Sequence, residues 1–100
     1  MSYERCMGLH VTDDALYARY REGMLPILAA HYGRLRYDFQ VSLALINEEG
    51  KPINRVFVIA FASKADNDAF LLDPAYQAVR NACFKPAVDA ITLVLASQPG

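Results

Sequence analysis

From Arg34 to Leu45 the chain alternates without a break. Leu35, Tyr37, Phe39, Val41, Leu43 and Leu45 take one set of positions, and Arg34, Arg36, Asp38, Gln40 and Ser42 take the other. Strand side chains point alternately to opposite faces, so this stretch predicts a β-strand with one apolar and one polar side. Such a strand cannot fold alone. It needs neighbours for its backbone hydrogen bonds and a second layer over its apolar side. The rest of the 100-residue chain, enough for one domain, must supply both.

It does so in a readable order. Residues 4–11 read as a first strand. Val11-Thr12-Asp13-Asp14 opens a helix, with Thr12 or Asp13 as cap and acids at the positive end of the dipole. Leu16, Tyr17, Tyr20, Met24, Ile27, Leu28 and His31 follow at helical spacing, with a kink or break expected at Pro26 and a left-handed stop at Gly33. After the alternating strand, Asn47 to Pro52 is a polar turn. Arg55 to Phe61 is a strand apolar on both sides. Ser63-Lys64-Ala65-Asp66 caps another helix, which Asp73-Pro74 restarts and Pro86 ends or bends. Ala90 to Ala96 is the last strand, and Ser97 to Gly100 a frayed end. The order β-α-β-β-α-β predicts an α+β, ferredoxin-like domain: a four-stranded antiparallel sheet with both helices on one face.

Strict alternation divides the strand residues in two. Met7, Leu9, Val11, Leu35, Tyr37, Phe39, Val41, Phe57, Ile59, Phe61, Ile91, Leu93 and Leu95 suit the helices. Gly8, His10, Arg36, Asp38, Gln40, Val56, Val58, Ala60, Thr92, Val94 and Ala96 form the other face. Three strands of that second set are too apolar for water. The composition agrees: 54% of residues are hydrophobic and mean hydropathy is +0.10. A second sheet is the natural cover, so a homodimer is expected, with Val56, Val58, Ala60, Thr92, Val94 and Ala96 meeting the twin.

An ordered set of short motifs then points to a family. Val11-Thr12-Asp13 with Tyr17 and Tyr20, His31-Tyr32-Gly33-Arg34, Phe61-x-Ser63, Asp73-Pro74-x-Tyr76, and Arg80 resemble a domain-of-unknown-function family of the dimeric α/β-barrel superfamily. The likeness runs from about Gly8 to Ala96. The helix-to-strand corner, Gly-Gly in that family, is Tyr32-Gly33 here. The resemblance implies a homodimer whose two sheets form a barrel. In the wider superfamily it implies cofactor-independent monooxygenases, lactone isomerases, haem-degrading enzymes and proteins without known activity.

Several side chains could carry chemistry. His10, on the small-residue face, is the candidate general acid or base, against the plainer reading of a hydrogen-bonded interface histidine. His31 reads as a cap or surface residue at the end of the first helix. Arg36, Asp38 and Gln40 form a polar row, read either as an edge-strand safeguard or ion pair or as a carboxylate clamp with Arg36 as the donor fork. Arg80 interrupts an apolar stripe four residues after Tyr76. It is either a snorkelling arginine or a charge at the mouth of a pocket between helix and sheet. Tyr17, Tyr20, Tyr37 and Tyr76 offer hydroxyls to that pocket. The candidate site is therefore His10 for catalysis, with Tyr17, Tyr20, Arg36, Tyr37, Asp38 and Arg80 for a small organic ligand.

Charge and cysteine content narrow the alternatives. Net charge is −1 and pI about 6.0, without the basic stripe of a nucleic-acid binder. No apolar run nears the ~18 residues of a membrane span. The start of the chain reads as a mature, cytoplasmic N-terminus. Cys6 and Cys83 read as reduced thiols rather than a disulfide framework. No metal site and no cofactor are expected, since the histidines have no ligand-spaced partners. There is no phosphate loop and no nucleophile elbow. Two functions remain: a homodimer that binds a small molecule, with chemistry of the monooxygenase or isomerase kind, or a non-catalytic ligand-binding or structural dimer.

Overall fold

Capping chemistry starts each helix. In the computed structural model, which describes residues 2–98, Asp13 accepts from the Leu16 N–H at 3.0 Å and opens α1, Asp14–Ala30. Tyr17, Tyr20, Met24 and Leu28 form its buried stripe. The helix runs through Pro26 without ending: the residue is exposed, so water can serve the carbonyl that loses its partner. Ser63 accepts from the Asp66 N–H at 3.1 Å and opens α2, Lys64–Leu72. Asp73 accepts from the Ala75 N–H at 2.8 Å and opens α3, Pro74–Val79, with proline at the first position. The helix then widens into a π-helical turn, Arg80–Phe84, and closes with Lys85–Ala87, which contains Pro86.

The strands are β1 (Tyr3–Val11), β2 (Gly33–Gln40), β3 (Arg55–Phe61) and β4 (Val88–Ser97). They form one antiparallel sheet in the order β2-β3-β1-β4, with the helices on one face. The core between the layers is built on Leu9, Tyr20, Leu28, Phe61, Phe70 and Phe84. Among the described residues no helix is long and apolar enough to cross a membrane. Ser97 is the last residue of β4, Gln98 follows it exposed and outside any element, and Pro99 and Gly100, the rest of the expected frayed end, lie outside the described residues, as does Met1.

Strict alternation fails at three bulges, one in β2 and two in β4, and the first of those in β4 leaves Asp89 unpaired between Val88 and Ala90. Leu35 pairs with Ile59 but Tyr37 with Val58, so Arg36 is the extra residue. One extra residue inverts every side chain beyond it. Tyr37 and Phe39 therefore lie on the open face, not the helix face, at 47% and 53% exposure. Asp38 and Gln40, paired with Phe57 and Arg55, turn to the helix side. At the second bulge in β4 the extra residue is Val94: Cys6 pairs with Leu95 and Met7 with Leu93. Leu95 moves to the open face and Ala96, opposite Arg5, to the helix side. We expect deletion of Arg36 to be tolerated, at about 1–2 kcal/mol, because it removes the bulge and leaves Tyr37, Asp38 and Phe39 on their present faces. A chain that alternated strictly would lose the strand; chemical denaturation separates the two.

The strand expected to reach Leu45 stops at Gln40. Gln40 pairs with Arg55, the first residue of β3, so almost no partner strand remains beyond it. Val41–Asn54 instead crosses toward the open face, where a Cβ at Gly8 would sit 2.8 Å from the Ile53 side chain. This loop leaves Leu43, Leu45 and Ile46 exposed. The left-handed residue at the end of α1 is Tyr32, at φ +60°, and not Gly33. Gly33 is needed for space: a Cβ there would lie 2.4 Å from Leu28 and 2.8 Å from Phe61.

Candidate functional site

The deep cavity lies between the helices and the sheet and measures about 110 Å³. Tyr17, Tyr20 and Met24 descend into it from α1. Leu35, Phe57, Ile59 and Ile91 form its floor, and Tyr76, Arg80 and Phe84 close one side. Aromatic contacts hold this wall rigid: Tyr20 lies 4.8 Å from Phe84 and Phe70 lies 4.1 Å from Tyr76, centroid to centroid.

Three phenols line the cavity. The Tyr20 and Tyr76 hydroxyls are 2.9 Å apart. Burial, then the neighbouring Tyr76, push the Tyr20 hydroxyl far above its ordinary value, so it remains a neutral donor and acceptor. Tyr17 is pushed up to about 12, mainly by burial, and its ring carries the Arg55 guanidinium at 4.7 Å.

Three guanidinium groups also line it, and they differ. Arg21 is committed to an ion pair with Asp38. Arg5, on the helix side of β1, donates from Nε to Asn67 Oδ1 at 2.8 Å, and burial lowers its pKa. Arg80, the first residue of the π-helical turn, stacks 5.2 Å from the Phe84 ring. A π-helical turn re-aims one side chain within a helix and is often found at functional sites.

The structure brings Tyr17, Tyr20 and Arg80 to this one cavity. The remaining candidates lie elsewhere. Asp38 does not line the cavity; it faces the helix side of the sheet, paired with Arg21 and 3.7 Å from Arg55. Its Oδ1 is buried and without a partner among the described residues. Arg36 and Tyr37 are on the opposite side of the sheet, where Arg36 pairs with Glu4 and lies 5.4 Å from the Tyr37 ring. His10 is also on that side, its Nδ1 2.6 Å from Asp89 Oδ1. Asp89 is an extra residue in β4, which the pattern of alternation does not foresee. Arg5, Arg21 and Asn67 were not among the sequence candidates. Arg5 was readable, because it shares parity with Met7 and Leu9 and so must face the helices.

His31 serves structure. Its Nε2 lies 2.7 Å from Asp73 Oδ2, tying the end of α1 to the junction of α2 and α3. The His31 bond, then the Ala75 N–H, holds the Asp73 carboxyl below the usual carboxylate range. A folded pKa below the unfolded one gives stability above the ordinary value of 3.8 that is lost as pH falls through the folded value. Asp73→Asn keeps a good cap and removes the charge. Its Tm is expected to fall below wild type at neutral pH, with the gap closing below about pH 4. A gap independent of pH would contradict this. No group of three or more potential metal ligands occurs among the described residues.

With this geometry in place, comparisons show what the chain is similar to. The model of the family described as "Domain of unknown function (DUF1330)" matches residues 6–96. No curated protein matches the sequence. Among solved structures, the RPA0582 protein of unknown function from Rhodopseudomonas palustris superposes with a TM-score of 0.82 at 18% identity. The match covers 98% of this chain and 82% of that one. A dimeric ferredoxin-like protein of unknown function from Jannaschia sp. gives 0.61 at 15% identity, over 99% and 100%. A Bacteroides thetaiotaomicron protein, provisionally named an antibiotic biosynthesis monooxygenase, gives 0.66 at 13% identity, over 98% and 89%. At these identities the likeness shows the ferredoxin-like α+β fold and nothing of the chemistry.

Proposed function

The chain belongs to the DUF1330 family, and from that starting point we propose that it is a homodimeric protein binding a small organic molecule in the helix–sheet cavity of each subunit. The observation that carries this is the cavity itself: apolar walls with a few convergent polar groups, the usual make-up of a ligand site. The dimer is supported by the open face. Tyr37, Phe39, Val94 and Leu95 are exposed there, and Leu43, Leu45 and Ile46 extend from the adjoining loop. The similar Jannaschia protein is described as dimeric.

Binding without turnover is the favoured form. The polar groups lining the cavity are phenols and guanidinium groups, and none is a histidine, carboxylate or thiol. A general base works best with a pKa near the operating pH, and the raised phenols do not meet that need. His10 is on the other side of the sheet, so its role is proposed to lie in the dimer interface. Chemistry of the monooxygenase or isomerase kind would have to draw its reactivity from the substrate. The free thiols of Cys6 and Cys83 suit a reducing, cytoplasmic setting, and the near-neutral charge gives no reason to invoke nucleic acid.

Thermal-shift screening of small aromatic and carboxylate compounds tests the reading. A cavity ligand at ten times its Kd is expected to raise Tm by roughly 5–10 °C. Leu71→Phe, which fills space at the cavity wall, is expected to abolish the shift. A panel that leaves wild-type Tm unmoved, or shifts both proteins equally, would contradict a ligand in this cavity.

A further inference from the structure

We propose that the cavity takes a small carboxylate with an apolar body of about four to six carbons, held by Arg5, Arg80 and the Tyr20–Tyr76 hydroxyl pair. This rests on the reading that the cavity binds a small molecule. Its basis is the charge on the cavity wall.

Arg5 and Arg80 both line the cavity, and neither has a carboxylate within 4.0 Å among the described residues. Arg36, Arg21 and Arg55, by contrast, each have an acid in reach. Arg5 uses Nε on Asn67, and among the described residues this is its one side-chain hydrogen bond. Its two terminal nitrogens are left for another acceptor. A guanidinium in a half-buried, largely apolar place costs folding energy unless an anion offsets it. Retaining two such groups is explained if an anion completes the site. Both line the same cavity as the Tyr20–Tyr76 pair.

The phenols point the same way. Two hydroxyls 2.9 Å apart share one hydrogen, with one oxygen donating and the other accepting. The accepting hydroxyl keeps its own hydrogen, free to be donated. Two guanidinium forks and one phenol O–H make a set of donors without a negative charge of its own. Planar, bidentate recognition of a carboxylate is what a guanidinium does best.

The rest of the wall sets the body of the ligand. Met24, Leu35, Phe57, Ile59, Leu71 and Ile91 are apolar, which disfavours a bare inorganic anion. The volume of about 110 Å³ is somewhat below the ~150 Å³ of an engineered cavity that holds benzene. The cavity is partly open to solvent, so the carboxylate head need not be enclosed, and a short fatty acid or a benzoate-sized acid with its apolar body inside is the fitting class.

The test uses the full chain and isothermal titration with hexanoate, benzoate, 1-hexanol, hexanamide and inorganic phosphate. Hexanoate or benzoate is expected to bind, with the alcohol and amide at least about tenfold weaker. Arg80→Gln is expected to weaken the carboxylate by about 10- to 100-fold and leave 1-hexanol within about twofold. Arg80→Lys should keep part of the preference, and Arg5→Gln gives a second variant on another element. Hexanol or hexanamide binding as tightly as hexanoate would overturn the carboxylate class while leaving the cavity reading intact. Phosphate displacing hexanoate at equal concentration would overturn the apolar body. If none of the five probes bound, the carboxylate class would fail, and the wider screen above would decide the cavity reading.

Discussion

Phe70→Ala is expected to lower the free energy of unfolding by about 3–5 kcal/mol, and Tm by roughly 15 °C or more. Phe70 is 1% exposed and stands where the two layers are joined. Its ring lies 4.1 Å from Tyr76, 5.6 Å from Phe61 and 6.1 Å from His31, centroid to centroid. Those neighbours come from α3, from β3 and from the end of α1, so truncation loosens three elements together. Because the contacts are already close-packed, the neighbours can only partly collapse into the space. Total stability of a domain this size is about 5–15 kcal/mol, so roughly a fifth or more is at stake. Phe70 also lines the cavity, and the variant is therefore expected to accept a bulkier ligand than wild type while unfolding sooner. Loss of stability below about 1 kcal/mol in denaturant titration would show that this aromatic cluster is not the joint between the layers.

How far the sequence alone leads depends on what each signal measures. Caps are local, so Thr12 or Asp13, Ser63 and the Asp73-Pro74 pair are legible from composition and position, and the structure uses Asp13, Ser63 and Asp73. The order of the strands is legible for the same reason. Facing is different. Alternation tells which residues share a side only while the count is unbroken, and a bulge changes the count without changing residue types. Tyr37, Phe39 and Leu95 are as apolar as any core residue, yet they lie outside because Arg36 and Val94 each add one residue. The end of α1 shows a second limit. Glycine is the usual left-handed residue, but here Tyr32 takes that conformation and Gly33 is kept small by Leu28 and Phe61. Tyr17, Tyr20 and Arg80 were visible because helical spacing places them on the buried stripe. Arg21 was missed because its partner, Asp38, turns to the helix side only through the bulge at Arg36, and Asn67 because nothing local in the sequence ties it to the distant Arg5.

The second large effect concerns the open face. Val58→Lys is expected to turn a dimer into a monomer. Val58 occupies the middle of that face, paired with Cys6 on one side and Tyr37 on the other. Its side chain is half-buried and points away from the core, so the substituted chain should still fold. In a two-fold dimer each substitution acts twice. Burying an ammonium group opposite its own copy costs about 3 kcal/mol or more, which weakens association more than about 100-fold. Retention of the cavity ligand by the monomer would then place ligand and twin on separate sides of the sheet.

The proposed division, helices and ligand on one face and a second copy on the other, is tested most directly at its second copy, by sedimentation equilibrium of the wild-type chain at micromolar concentration. The expected result is a mass twice the 11.1 kDa of the single chain. A mass of 11.1 kDa, unchanged as concentration rises, would contradict it.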